Sequence, residues 1–472
     1  MDRIYRWQGV LGLYLVLAIC ASSIAQEGAF PLPPRAGDPE LQNLPFGFVP
    51  KHLKADRRRS GYVTGSQRFA TADGTGGGVA QVEYQDEMES PVPDGDTDQP
   101  SDAIWDDPTS DLFYGDGYDD CGAACCGPQW WCSAEYLLWW KRGMGTPALA
   151  TITPNGGILP AATIVFGNED LNDGTSSGGR FTIGRRFGFD PRFGVDFSYA
   201  FLGNDSTTFQ GDAVNFPLLA RPFTNLNQAV LAPDARLINS AGVIRGTLDI
   251  VASTEFQTYE ILFRHTSYQS CMARWDWLIG YRDAQLRDRL RIVESTTALA
   301  APNQGTTTSL VDQFHTTNTF RGVELGVMGQ GIISPCWSWD WTARVGLGNI
   351  ETRAAIEGRT VTTPAGGAAA AANGGLLAQA SNSGLFTQDR FGTVSEFGLT
   401  LRRELRCGWS GSIGYSMVYM TNVWRAGEQI DASINTSQIP PGVLNGAARP
   451  EFPGITSDFW AQGLRFGLSR DF

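Results

Sequence analysis

The sequence predicts an all-β chain: an antiparallel up-and-down transmembrane β-barrel of about ten strands, within a range of about 8–14. Three observations predict it. From Trp130 onward apolar residues recur with a period of two. The apolar faces are dominated by Trp, Phe and Tyr, while the other faces carry Gly, Ser, Arg, Asp and Glu. The connections alternate between tight turns and long polar segments.

Residues 1–25 read as a cleaved signal peptide. Arg3 and Arg6 form a basic start, Gly9 to Cys20 is an apolar run too short to span a bilayer, and Ser23-Ile24-Ala25 places cleavage before Gln26. Cys20 follows Leu17-Ala18-Ile19, and Ile19 is too large for a lipidation site. An uncleaved anchor is the bland alternative. Export places the chain where disulfides are permitted.

Residues 26–128 read as a disordered periplasmic linker. Pro31, Pro33, Pro34, Pro39, Pro45 and Pro50 interrupt regular structure, and Lys51 to Arg59 is a short basic run, read as a solvated patch rather than a surface anchor. From Phe69 to Pro128 there are 15 acids and no Lys or Arg. The whole chain carries −13, from 36 Lys+Arg against 49 Asp+Glu, so the remainder is close to neutral. A stretch so poor in apolar residues cannot offset its ordering entropy. Asp94-Gly95-Asp96-Thr97-Asp98 starts like a calcium loop, but Gln99 and Trp105 stand where Gly and Glu are required. A chain of this charge lacks the basic footprint of a nucleic-acid binder.

Residues 129–472 are the barrel. Strands are predicted near 131–142, 179–189, 193–203, 254–267, 271–284, 318–333, 337–350, 390–405, 408–424 and 458–472. In 337–348 one face is Trp337, Trp339, Trp341, Ala343, Val345 and Leu347; the other is Ser338, Asp340, Thr342, Arg344, Gly346 and Gly348. Asp190-Pro191-Arg192, Tyr268-Gln269-Ser270, Ser334-Pro335-Cys336 and Arg406-Cys407 are the tight turns, expected on the periplasmic side, with long outer loops opposite. A further hairpin near Gly242 to Ile250 would raise the count to twelve. Trp140, Phe181, Tyr199, Trp275, Trp277, Trp337, Trp339, Trp409, Tyr419, Trp460 and Phe472 are the expected membrane-interface aromatics. The last strand ends at Phe472 on its apolar face. That terminus resembles the signal read by the outer-membrane insertion machinery. Outer-membrane lipid and lipopolysaccharide are the other expected partners, and oligomeric state is left open.

Several segments resemble the seventh of the putative beta-barrel porin families, best known from planctomycete-type bacteria. They are Trp131-Cys132-Ser133-Ala134-Glu135-Tyr136-Leu137-Leu138-Trp139-Trp140, Ser177 to Thr182, Pro217 to Phe223 and Asp458 to Leu464. The resemblance covers roughly 128–472 and implies an outer-membrane barrel. It adds little about transport, because fold does not fix function.

With apolar faces toward lipid, the expected lumen network is Glu135, Lys141, Arg180, Arg186, Asp196, Glu260, Arg264, Arg274, Asp276, Arg282, Glu324, Asp340, Arg344, Glu396, Arg402, Glu404 and Arg465. Arg suits packed bidentate ion pairs. Ten strands enclose little space, so a plugged, salt-bridged interior is favoured over a narrow porin-like channel. The inward glycines point the other way if they leave space.

Two other classes are weighed. One is a soluble secreted β-sandwich. The other is an outer-membrane hydrolase using His315 and Asp312 in an outer loop, read mainly as a solvated His. His265 is expected at the interface, on the lipid side. There is no Gly-rich phosphate loop, nucleophile elbow or zinc-type His pair, so no enzyme, cofactor or metal is expected. Cys121, Cys125, Cys126, Cys132, Cys271, Cys336 and Cys407 fall in one periplasmic layer. Disulfides among them and isolated thiols both stay open. A zinc site is disfavoured, since the spacing matches no standard ribbon.

Overall fold

The computed structural model describes residues 129–472 apart from 154–155 and 228–231. The expected signal peptide and linker, residues 1–128 with Cys121, Cys125 and Cys126, lie outside the described residues.

Ten long strands form one closed sheet. They are β1 (Trp130–Lys141), β2 (Thr175–Phe187), β3 (Asp190–Asp212), β4 (Ile244–Gln269), β5 (Ala273–Ala298), β6 (Thr307–Ser334), β7 (Trp337–Thr363), β8 (Gly384–Glu404), β9 (Trp409–Val423) and β10 (Ser457–Asp471). Each pairs antiparallel with its sequence neighbours, and β10 closes on β1 through Trp131↔Asp471 to Lys141↔Ala461. The order is up-and-down throughout. One closed ring replaces the alternative of two packed sheets. Backbone hydrogen bonds exchanged by Trp130 and Phe472 hold both ends of the barrel together at the short-turn end.

The wall is uneven. β4 to β7 run for 26, 26, 28 and 27 residues, whereas β1 and β2 have 12 and 13. A tilted spanning strand needs only about 9–11. The expected strands 254–267, 271–284, 318–333 and 337–350 are therefore half of what forms. The extra half had read as long loop, yet residues 299–306 alone join β5 to β6. The segment near Gly242 to Ile250 is the start of β4, so no extra barrel hairpin exists there.

The reason lies in the side chains. On β7 the outward face is Trp337 to Leu347, then Asn349, Glu351, Arg353, Glu357 and Arg359. The inward face of the same strand changes from Ser338, Asp340 and Arg344 to buried Ile350, Ala354 and Ile356. β5 inverts likewise, from outward Trp275, Trp277, Ile279 and Tyr281 to outward Arg287, Arg289 and Arg291 over buried Leu286, Leu290 and Ile292. The near half of each strand suits lipid outside and charge inside. The far half suits water outside and an apolar core inside.

The outermost part of that core is completed by the loops. A hairpin of Leu219–Asn225 and Ala232–Asn239 belongs to a second small sheet with Ala148–Ile152, Thr163–Gly167 and Ser433–Ile434. Its Leu149, Leu219, Phe223 and Ile434 pack in one cluster with Leu248, Ile292, Leu310 and Ile356 of the tall wall.

Candidate interior site

From the short-turn end upward, the barrel interior has four zones. The first is a polar chamber. Asp196 pairs with Arg264, Arg264 and Arg274 share Asp276, Arg402 meets Asp340 at 3.0 Å, and Arg465 meets Glu135 at 3.5 Å. The Arg264 guanidinium lies 5.2 Å from the Trp131 ring centroid. Trp131, Glu135, Arg186, Arg264, Arg274, Asp340, Arg402 and Arg465 line a cavity of about 260 Å³, with Asp196 and Asp276 behind them as ion-pair partners.

The second zone is a buried cluster of three Arg and three Glu. Arg282 reaches Glu260 at 2.7 Å, Glu324 at 2.9 Å and Glu396. Arg344 bonds Glu260 and lies 2.7 Å from Glu396, and Arg180 lies 2.6 Å from Glu396. Strands β2, β4, β5, β6, β7 and β8 each supply one member, so the cluster bridges across the interior. Bidentate, shared geometry of this kind is what offsets desolvation of buried charge.

The third zone is apolar. Leu137, Trp139, Leu202, Phe256, Leu286, Phe320, Ile350, Val418, Met420 and Phe459 are all buried in one cluster. Phe256 and Phe459 have ring centroids 5.3 Å apart. Inward glycines sit beside this filling rather than beside open space. A Cβ on Gly392 would meet Ile350 Cδ1 at 2.2 Å, and one on Gly322 would meet Phe320 Cζ at 2.6 Å.

The fourth zone ties the loops to the tall wall. Arg221 of the inserted hairpin is buried between Glu294 of β5, at 3.0 Å, and Asp312 of β6, at 2.6 Å. The amides of Leu377 and Ala378 donate to the same Asp312 at 3.1 and 2.9 Å. Arg425, fully buried, bonds Asp288 and donates to the Gly143 carbonyl at 2.9 Å. Lys141 bonds Ser176 and lies 2.8 Å from Asp205.

Of the expected network, Glu260, Arg282, Glu324, Arg344, Glu396 and Arg180 come together. Glu135, Arg186, Asp196, Arg264, Arg274, Asp276, Asp340, Arg402 and Arg465 surround the chamber. Lys141, the last residue of β1, contacts Ser176 of β2 and Asp205 of β3 above the apolar zone. Glu404 is a correction: it is exposed at the end of β8, outside the network. Arg221, Glu294, Asp288, Asp205 and Arg425 were not anticipated. The readable signal for the wall members was the inverted alternation on β5, where Asp288 and Glu294 share the face of Leu286, Leu290 and Ile292.

The aromatics form two rows on the outer face. Trp275, Trp277, Trp337, Trp339, Trp409 and Phe472 lie near the short turns; Trp140, Phe181, Tyr199, Tyr419 and Trp460 lie higher. Tyr199 stacks on Tyr259 with centroids 4.7 Å apart. Outward Gly329 and Gly331 leave room for the indoles of Trp341 and Trp339, each 2.2 Å from where a Cβ would stand. His265 packs against Phe193 at 4.7 Å.

The hydrolase pair does not assemble. Asp312 is buried inside and held by Arg221, while His315, three residues on, faces outward beside Thr317 Oγ1 at 3.4 Å. Cys271, Cys336 and Cys407 are free and exposed, which corrects their inclusion among candidate disulfides. They occupy three turns about two strand spacings apart, roughly 10 Å, beyond the ~7 Å limit for a Cα pair. Cys132 is disulfide-bonded.

A closed, even-stranded antiparallel barrel with an outward apolar band between aromatic rows is an outer-membrane-type β-barrel. The chain belongs to the family Putative beta barrel porin-7, whose model matches residues 131–472. No curated protein matches the chain. Among solved structures it is similar to a Pseudomonas aeruginosa FadL homologue, at 7% identity over 74% of this chain and 91% of that one, TM-score 0.21. It is also similar to the Ralstonia pickettii toluene transporter TbuX, at 8% identity over 73% and 90%, TM-score 0.15. At such TM-scores neither likeness bears on function.

Proposed function

We propose that this protein is an outer-membrane barrel with a closed interior, a structural or surface-presenting barrel rather than an open diffusion pore. The observation that carries the reading is the stack of Arg/Glu cluster and apolar layer across the interior, with loop side chains filling the wide end. Side chains already fill an eight-stranded barrel, and only about 16–18 strands leave a wide channel. The test is planar-bilayer recording of purified protein. No steady conductance is expected, and a stable open level at low voltage sinks the reading.

A narrow channel is the second reading, favoured by the arginine-lined chamber at the short-turn end. It requires the buried cluster and apolar layer to part, so conductance would appear only as voltage-driven gating.

The short turns and both barrel ends face the periplasm in this reading. Residues 1–25 export the chain and are removed, residues 26–128 form an extended acidic linker, and Cys132 pairs within the cluster of Cys121, Cys125 and Cys126. The terminal strand with Phe472 hands the barrel to the insertion machinery. Amino-terminal sequencing of the mature protein tests the cleavage: a start at Gln26 is expected.

A further inference from the structure

The outward face of the tall wall carries a feature that a closed barrel does not need. Arg287, Arg289 and Arg291 stand at alternate positions on β5, so three guanidiniums share one face along about 13 Å of strand. Directly across on β4 are Glu255, Ser253 and Val251, and on β6 Thr317, His315 and Gln313. Only Arg287 therefore faces a carboxylate, at 3.7 Å from Glu255, and among the described residues Arg289 and Arg291 have no ion pair. The rows just above the apolar band are different. There Arg321 lies 3.3 Å from Asp283 and 3.8 Å from Glu351. The unbalanced positive charge begins higher.

Height identifies the partner. Tyr281 is the last aromatic on the outward face of β5, and Arg287 to Arg291 lie six to ten residues beyond it. At about 3.3 Å per residue and ~45° tilt, they stand roughly 14–23 Å above the band. A phospholipid headgroup layer reaches only about 5–8 Å beyond the hydrocarbon. A sugar chain bearing phosphates reaches further. Basic residues beside a membrane bind anionic lipid headgroups, and guanidinium matches phosphate geometry.

We infer that the Arg287–Arg289–Arg291 ladder binds the phosphorylated saccharide headgroup of an outer-leaflet glycolipid. The inference rests on the outer-membrane reading and on its orientation. It gives the tall wall a role: to stand in the saccharide layer with one strand facing its phosphates.

The test titrates full-length protein in detergent micelles with rough-type lipopolysaccharide, the same lipopolysaccharide stripped of phosphate, phosphatidylglycerol and inorganic phosphate. The variant combines R287Q, R289Q and R291Q, and heat-modifiable migration reports its folding. Lipopolysaccharide affinity is expected to fall roughly tenfold or more in the variant and on phosphate removal, with phosphatidylglycerol binding equally to both proteins. Replacing the three by Lys should restore most of the binding if charge carries it. Equal lipopolysaccharide affinity of wild type and folded variant overturns the inference. So does a matching loss toward phosphatidylglycerol, which would make the ladder an ordinary headgroup contact, or toward inorganic phosphate alone, which would make it a free-anion site. A wild-type chain that stays in water without detergent overturns the membrane reading itself, before any titration.

Discussion

Arg221 of an inserted loop hairpin and Asp312 of strand β6 meet 2.6 Å apart inside the barrel, 91 residues apart in sequence, with both side chains buried. Glu294 completes the pair from β5. Removing one partner of a buried pair costs about 3–5 kcal/mol, because the other charge is left desolvated. Asp312→Ala also frees the Leu377 and Ala378 amides. It is expected to release the inserted loops while the membrane-spanning half stays folded. Limited proteolysis should then cut within residues 213–243 at a protease dose that leaves the wild type whole.

Arg282 serves Glu260, Glu324 and Glu396 together. Arg282→Met leaves the cluster short of one positive charge and should lower stability by about 3–5 kcal/mol. The temperature at which the folded gel band converts to the unfolded one should drop accordingly. A variant as stable as wild type would mean that the cluster is solvated.

The apolar band has a sharp upper edge, which lipid-face substitutions can locate. Leu325 is outward in mid-band on β6, and Gln313 is outward beyond it. Leu325→Arg should destabilise insertion into vesicles by about 2–4 kcal/mol. Gln313→Arg should change it by less than about 0.5 kcal/mol, as an ordinary surface substitution. Equal costs would remove the assigned edge.

His315 stands outside the band. Partial burial, then the neighbouring Arg289 and Arg287, push its imidazole below the ordinary His range. The unfolded chain therefore binds a proton more readily than the folded one. Stability from this group is fully present above about pH 6.5 and is lost as pH falls through the lower folded value. Hydrogen-exchange protection of the β5–β6 extension, taken relative to the intrinsic exchange rate at each pH, should fall on mild acidification, and His315→Gln should flatten that response.

Cys271, Cys336 and Cys407 are exposed thiols on three turns at the short-turn end. In purified folded protein each of these three thiols should take up a maleimide without reductant, as peptide mapping would read. In intact cells an impermeant maleimide should not reach them, because the proposed orientation puts them in the periplasm.

The sequence by itself determined the period of two, the aromatic rows, the ten strands and the four tight turns. Those are local properties: side chains alternate on any strand, and Pro335 marks a turn without reference to the rest of the chain, whereas Pro191, expected in a turn, lies at the start of β3 just past a turn at residues 188–189. What it left unread was the outer half of β4 to β7. Arg287, Arg289 and Arg291 look like loop residues until Leu290 and Ile292 are seen packed in one cluster with Leu219. An inward apolar face is stable only when something apolar fills the interior, and the filling comes from loops far away in the chain. The same holds for charge. Alternation put Arg282 and Glu396 inside, 114 residues apart, but only closure of the ring brought them into contact. Which side chains meet across the interior was decided by tertiary structure alone, because closure of the ring sets it.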